Sequence, residues 1–96
     1  MYKRQLLDHA EAVIVEAISN AVRHSGAKHI MVTATAGDEF SLEVKDDGRG
    51  IPAGNQRSSG MANMRRRAEL LGGTCEIVSA PERGTTIQWI VPVLAE

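Results

Sequence analysis

Two groups of polar residues have the types and spacing that could hold a ligand. The first lies between Asp46 and Ile51, where two adjacent acidic residues precede Gly48 and Gly50. Glycine accepts positive φ and lets another molecule approach the backbone closely, and either carboxylate can accept a hydrogen bond from a ligand amino group. Taken alone, the motif is explained equally well by an Asp-Gly turn after a strand, and that is the simpler interpretation.

The second group is Glu16, Asn20 and either Arg23 or His24. Their spacing of four and then three or four residues places them on one face of a helix. A carboxylate, an amide oxygen and a cation on one face could hold a magnesium ion and phosphates, because Mg²⁺ prefers oxygen ligands and keeps several of its waters. An ordinary solvated face of an amphipathic helix is the alternative, and the triplet by itself favours it.

A helix is predicted around these polar residues. Asp8 followed by Glu11 resembles an N-terminal capping box, and Gly26 is a typical C-terminal stop. Apolar residues recur at helical spacing between those ends and predict one buried stripe. They are Ala10, Ile14, Ala17, Ile18 and Ala21.

A second helix is predicted from Gly60 to the Gly72-Gly73 pair, with Met61, Met64, Ala68 and Leu71 as its apolar stripe. Free N–H groups and the helix dipole at Gly60 would favour an anion there. The preceding residues, 52–59, are rich in Pro, Gly, Asn and Ser and have no apolar periodicity, which predicts a mobile loop.

Alternating apolar residues predict four strands, at residues 28–36, 39–45, 74–79 and 85–93. The last of them carries Ile87, Trp89 and Val91 on one face. Tight turns join the strands in pairs, which favours antiparallel neighbours. We therefore predict an α+β fold, a two-layer sandwich of a mixed, mostly antiparallel sheet with helices on one face.

Composition narrows the function classes. Ninety-six residues are enough for one domain, and 24% charged residues are ordinary for a soluble one. A net charge of −1 gives no electrostatic reason to expect binding to nucleic acid or to an anionic membrane. Cys75 is the only cysteine, so no disulfide can form within the chain, which fits a cytoplasmic location. No apolar run reaches the length of a membrane span.

Three blocks in this order resemble the GHKL ATPase family, which includes gyrase, Hsp90, MutL and sensor histidine kinases. They are Glu16-x-x-x-Asn20-x-x-Arg23-His24-Ser25, then Asp46-Asp47-Gly48-Arg49-Gly50, then Ser59-Gly60-Met61 before a helix. The runs Asn-Ala-Val-Arg-His-Ser-Gly-Ala and Met-Arg-Arg-Arg-Ala-Glu-Leu-Leu-Gly-Gly, with the later Gly-Thr-Thr-Ile, are similar to the ATP-binding domain of NarL-type sensor kinases. A further likeness is to actinobacterial dormancy-type GAF sensor kinases. The resemblance implies the Bergerat fold over a single domain, residues 1–96, of a larger sensor kinase.

The resemblance assigns the helical residues to the phosphate side of an ATP site. Asn20 would coordinate Mg²⁺, and Glu16 would be the acid/base residue near the γ-phosphate. Arg23 would approach the phosphates, and His24 the ribose or adenine side of the nucleotide.

The same resemblance assigns the glycine-rich segment to the adenine side. Asp46 would accept a hydrogen bond from the adenine 6-amino group, which selects adenine over guanine. Gly48 and Gly50 would let the backbone pass close to the base, Ile51 would form a wall beside it, and Thr85 would lie near Asp46.

Ser59, Gly60 and Met61 would form the hinge of a lid and the phosphate-facing start of the second helix. The family commonly has Gly-x-Gly here, whereas this chain has Ser58 at the first position and a short lid. Both departures disfavour the closed state of the lid.

The function implied is Mg-ATP binding and donation of the γ-phosphate to a histidine on a separate dimerisation domain, with a response regulator downstream. No histidine of this chain has the pattern of a phosphoacceptor. Two alternatives stay open: a serine kinase of the anti-sigma-factor type, and a nucleotide-sensing or protein-binding module without phosphotransfer. The fragment itself is expected to be cytoplasmic, without direct membrane contact, while its parent could be soluble or membrane-anchored.

Overall fold

The computed structural model describes residues 3–48, 59–80 and 84–93, and it contains two helices and four strands within those ranges. In chain order these are α1 (Lys3–Asn20), which continues as a π-helical turn (Ala21–Ser25), β1 (Ile30–Ala36), β2 (Glu39–Asp46), α2 (Ser59–Leu70), β3 (Thr74–Ala80) and β4 (Gly84–Pro92). Neither helix in these ranges is long and apolar enough to cross a membrane.

The four strands form one sheet in the order β1-β2-β4-β3, and every neighbouring pair is antiparallel. β2 and β4 are the central strands, so their residues have partners on both sides. Asp46, the last residue of β2, is paired with Ile30 of β1 and with Thr85 of β4. The predicted α+β arrangement is confirmed, and the sheet pairs described here are all antiparallel.

The core lies between the sheet and the helices, because alternate residues of the central strands point to the same face. Leu42 and Val44 of β2 are buried there. So are Ile87, Trp89 and Val91 of β4, as their alternation predicted. The opposite face of these strands is more polar. It carries Ser41, Glu43, Lys45, Thr86 and Gln88.

The start of α1 was predicted wrongly. The helix begins at Lys3, so Asp8 lies inside it and is not an N-cap. The residues before Asp8 include Arg, Gln and two Leu, which are good helix formers and extend the helix upstream. Leu6 joins the core as a result, while Ile18 of the predicted stripe is 36% exposed. The predicted end at Gly26 is confirmed by its left-handed φ of 60°.

Helix α2 covers the sheet with the apolar stripe that its spacing predicted. Met61, Met64, Ala68 and Leu71 are all buried. The indole N–H of Trp89 donates a hydrogen bond to the backbone carbonyl of Met64 at 3.1 Å, which joins the helix to the central strand. This bond and the burial of the stripe hold α2 against the sheet.

We expect Met64→Ala to reduce the free energy of unfolding by about 2–5 kcal/mol, because it removes a buried side chain and leaves a cavity beneath α2. The matched control is Met31→Ala in β1, where the side chain is 66% exposed. That change should stay within about 0.5 kcal/mol of the parent. Urea unfolding of the three proteins measures both values, and similar losses for the two variants would contradict the packing described here.

Candidate functional site

The end of α1 is wider than an α-helix. Ala21–Ser25 forms a π-helical turn, closed by a hydrogen bond from the N–H of Gly26 to the carbonyl of Ala21. Single π turns inside helices occur frequently at functional sites, because they change the direction of the side chains that follow. Arg23 lies in this turn and is exposed. His24 lies in it as well, but its side chain is outside the described part of the structure.

Asn20 lies immediately before the π-helical turn, and its amide group is only partly satisfied. Its Nδ2 atom is buried, and no hydrogen-bond partner for it lies within the described residues. Leaving a buried donor without a partner costs about 1–3 kcal/mol. Asn20 therefore has a hydrogen-bond donor that is available to a ligand.

Glu16 lies one helical turn before Asn20 and contacts the first turn of α2. Its carboxyl group packs against Gly60, so closely that a β-carbon on Gly60 would overlap Glu16 Oε2. The absence of a side chain on Gly60 thus leaves room for the Glu16 carboxyl group, which a larger residue would displace. The contact brings the polar face of α1 to the N-terminal end of α2, where free N–H groups favour an anion.

Asp46 marks the other part of the candidate site. One carboxylate oxygen, Oδ1, accepts a hydrogen bond from the N–H of Gly48 at 2.9 Å, which turns the chain at the strand end. Gly84, with φ of 86°, packs on the Asp46 carbonyl so closely that a side chain would overlap it. Thr85 is 4% exposed, and its hydroxyl lies 3.1 Å from Ser79 Oγ. The predicted proximity of Thr85 to Asp46 is confirmed by their pairing in the sheet.

Asp47 points to a different partner. Its Oδ1 accepts hydrogen bonds from the backbone N–H groups of Lys28 and His29 at 2.8 and 2.9 Å, and His29 Nδ1 lies 2.7 Å from Oδ2. The N–H of Asp47 in turn donates to the carbonyl of His29 at 3.2 Å. We call this set of four bonds the Asp47 clasp. The backbone N–H of His29, and then its side chain, lower the pKa of Asp47 from 3.8 to about 2.

The structure brings some of the predicted site residues together. Glu16 meets Gly60, and Asp46 is beside Gly48 and Thr85. Met61 is 3% exposed within the core, so its side chain supports α2, and a part in binding stays a prediction.

Other predicted site residues are not placed. Gly50, Ile51 and residues 52–58 of the loop that was predicted to be mobile lie outside the described residues. Ser59, predicted to end that loop, is instead the first residue of α2, and its side chain is not described.

Two contacts were not predicted. One is the Asp47 clasp, since nothing in local spacing indicates a bond across 18 residues to His29. The other joins the helices, where Arg67 Nη1 donates to His9 Nδ1 at 2.8 Å. His9 is half-buried at this contact.

Cys75, the single cysteine of the chain, packs against the core from β3. Burial raises the pKa of its thiol to about 11. The thiolate is the reactive form of cysteine, so the raised pKa keeps Cys75 mainly in its less reactive thiol form at neutral pH.

The lowered pKa of Asp47 makes stability depend on pH. A carboxylate with a lower pKa in the folded state stabilises it above the unfolded pKa of 3.8, and the effect is lost as pH falls towards 2. We expect Asp47→Asn to lose less free energy of unfolding than the parent between pH 7 and pH about 2.5, because its amide does not titrate. Denaturant titrations across this range measure the difference. Asp38→Asn, in the turn before β2, is the control and should follow the parent; a parallel loss in Asp47→Asn would contradict the assignment.

Known proteins similar to this chain agree with the fold and the candidate site described above. Residues 6–95 match the family described as histidine kinase-, DNA gyrase B- and HSP90-like ATPase. Sensor protein VraS of Staphylococcus aureus strain COL is 37% identical, and sensor histidine kinase LiaS of Bacillus subtilis strain 168 is 33% identical, each over 93% of this chain and 26% of the relative. The chain thus spans about a quarter of the length of these relatives.

A solved structure also matches. The ATP-binding domain of PrrB from Mycobacterium tuberculosis superposes with a TM-score of 0.75 at 26% identity, covering 92% of this chain and 69% of that one. The fold, the order of the polar motifs and these matches lead to one conclusion. The chain belongs to the family of histidine kinase-, DNA gyrase B- and HSP90-like ATPases.

Proposed function

We propose that this domain binds Mg-ATP and presents the γ-phosphate to a histidine on a separate dimerisation domain of the same parent protein. The observation that carries the proposal is the contact of Glu16 with Gly60, which joins the polar face of α1 to the N-terminus of α2. Phosphoryl transfer depends mainly on positioning and on stabilising negative charge, and this junction offers groups for both.

The phosphate side is proposed at that junction. Asn20 would offer its amide oxygen to Mg²⁺, and the ion would neutralise charge on the phosphates. Sites for Mg-nucleotides need only one or two protein oxygens, because phosphates and waters supply the remainder. The buried Nδ2 of Asn20, which has no partner among the described residues, would donate to a phosphate oxygen of the same nucleotide.

Three further residues of α1 and its π-helical turn have proposed roles. Arg23, exposed on the π-helical turn, would approach the phosphates, and His24 the ribose or adenine side. Glu16 would act as the acid/base residue near the γ-phosphate.

The adenine side is proposed at the end of β2. Asp46 Oδ1 is engaged by the N–H of Gly48, and Oδ2, which has no partner among the described contacts, would accept a hydrogen bond from the adenine 6-amino group. Gly48 and Gly50 would let the base lie against the backbone, and Ile51 would pack beside it. Ser59 and Gly60 would connect this side to the phosphates as the lid hinge, with Met61 supporting the helix from the core.

The remaining parts of the proposal concern the parent protein. Residues 1–96 would be one domain of a longer sensor kinase, acting with a dimerisation domain and a response regulator. The similarity to the sensor protein VraS and the sensor histidine kinase LiaS supports this over the anti-sigma-factor alternative. The parent would hold the domain in the cytoplasm, where ATP is available.

Asp46→Asn tests the adenine side. The asparagine oxygen can still accept from Gly48, while the NH₂ group meets the adenine amino group as donor against donor. We expect ATP affinity to fall by about 5- to 150-fold, the equivalent of about 1–3 kcal/mol for an unpaired donor, and the preference for ATP over GTP to disappear. Isothermal titration calorimetry with both nucleotides measures this, with Asp38→Asn as the control. Unchanged ATP affinity in Asp46→Asn would rule the assignment out.

Asn20→Ala tests the metal side. We expect ATP to bind the variant with the same affinity whether Mg²⁺ or EDTA is present, because the residue proposed to hold the ion is gone, while the parent binds more tightly with Mg²⁺. Glu11→Gln, on the exposed side of the same helix, is the control and should keep the parent's Mg²⁺ dependence. Equal Mg²⁺ dependence in Asn20→Ala and the parent would count against this role.

A further inference from the structure

We propose that Asp47 is a positioning residue, which holds the connection after α1 against the end of β2 and thereby sets the distance between the phosphate side and the adenine side of the site. The inference rests on the proposed function, because both sides are defined by ATP. It assigns to Asp47 a role different from that of its neighbour Asp46, although the two residues form one acidic pair in the sequence.

The bonding of the Asp47 carboxylate supports this division of roles. Both of its oxygens are engaged by the segment that precedes β1, Oδ1 by two backbone N–H groups and Oδ2 by the ring of His29. In Asp46, by contrast, only Oδ1 has a partner among the described contacts, the N–H of Gly48. Asp47 is therefore committed to the protein, and Asp46 keeps an oxygen for a ligand.

The segment that the Asp47 clasp holds is short and begins with a flexible residue. Residues 26–29 connect the π-helical turn to β1. Gly26 has a left-handed φ of 60°, and a hydrogen bond from Ala27 to the carbonyl of Ala21 fixes only the helix end of the connection. At the strand end, Lys28 and His29 lie before the first ladder pair, Ile30 with Asp46. The hydrogen bonds of the Asp47 clasp hold Lys28 and His29, which precede that ladder, against the end of β2.

The adenine side does not depend on the clasp to the same degree. Asp46 is the last residue of a central strand, paired on one side with Ile30 and on the other with Thr85. Its turn is closed by the separate bond from Gly48. Loss of the Asp47 carboxylate should therefore leave Asp46 in place and loosen the connection that leads back to Arg23 and Asn20.

A ligand that spans both sides gains from a fixed distance between them. When two binding groups are held in the correct geometry beforehand, less ordering is needed on binding, and affinity rises without a new contact. A ligand that occupies only one side gains nothing from that distance. This difference separates a positioning role from direct contact with the nucleotide.

The test compares ATP with its two parts in the parent and in Asp47→Ala. Calorimetry measures ATP affinity, and NMR titration measures the weaker binding of adenosine and of magnesium tripolyphosphate. We expect ATP affinity to fall about tenfold, a typical size for coupling between two sites. Adenosine and tripolyphosphate affinities should each stay within about twofold of the parent, as for positions without shared partners.

Two further variants complete the design. Asp47→Asn retains an oxygen for the N–H groups of Lys28 and His29 and should recover most of the ATP affinity. Asp38→Ala removes an acidic residue from the turn before β2 and should bind all three ligands as the parent does. Thermal unfolding of each variant verifies that the domain is folded.

Each outcome has a definite meaning. Parent-like ATP affinity in Asp47→Ala, with or without a lower melting temperature, would overturn the inference and leave only a structural role. A tenfold loss of adenosine affinity would overturn it too, since Asp47 would then contact the base. If the parent itself bound no ATP, the proposed function would fail and this inference with it. Selective loss of ATP affinity supports both.

Discussion

The pairing of β2 on both of its sides is the constraint on which the rest of the structure depends. A strand held by two neighbours cannot shift its register without turning its apolar residues away from the core. Leu42 and Val44 therefore stay beneath the helices, and Asp46 stays in a fixed position at the end of this central strand. The helices pack on that fixed surface, so the polar residues of α1 have a defined position relative to Asp46.

Two glycines allow close contacts that link the fixed position of the sheet to the candidate site. The carboxyl group of Glu16 occupies the space that a side chain on Gly60 would need, and the Asp46 carbonyl occupies the space at Gly84. In both places a glycine lets two parts of the chain meet without a gap. The family resemblance assigned Gly60 to phosphate binding, and the structure adds a packing reason for the same residue. Glycine at position 60 thus fits both the predicted phosphate-binding role and the packing against Glu16.

Local periodicity predicted the parts of the fold that are governed by burial. The stripe of α2 and the inward face of β4 were correct, because a residue facing a core on a regular element recurs at a regular interval. The start of α1 was wrong, since Asp8 has the chemistry of a cap but lies where upstream residues continue the helix. The π-helical turn and the bond between Asp47 and His29 were not predictable in this way, because they depend on tertiary neighbours that spacing does not encode.

Trp89 is the single tryptophan of the chain, fully buried between α2 and the sheet, with its ring edge-to-face with Phe40 at a centroid distance of 6.2 Å. Its indole N–H is bonded to the α2 backbone, and its strand, β4, is one of the two strands that pair with Asp46. An indole in so apolar a setting emits at short wavelength and is shielded from quenchers in solution. The fluorescence of Trp89 therefore reports whether α2 is packed on the sheet. It needs no added label, because Trp89 lies at the contact between the helix and the strands.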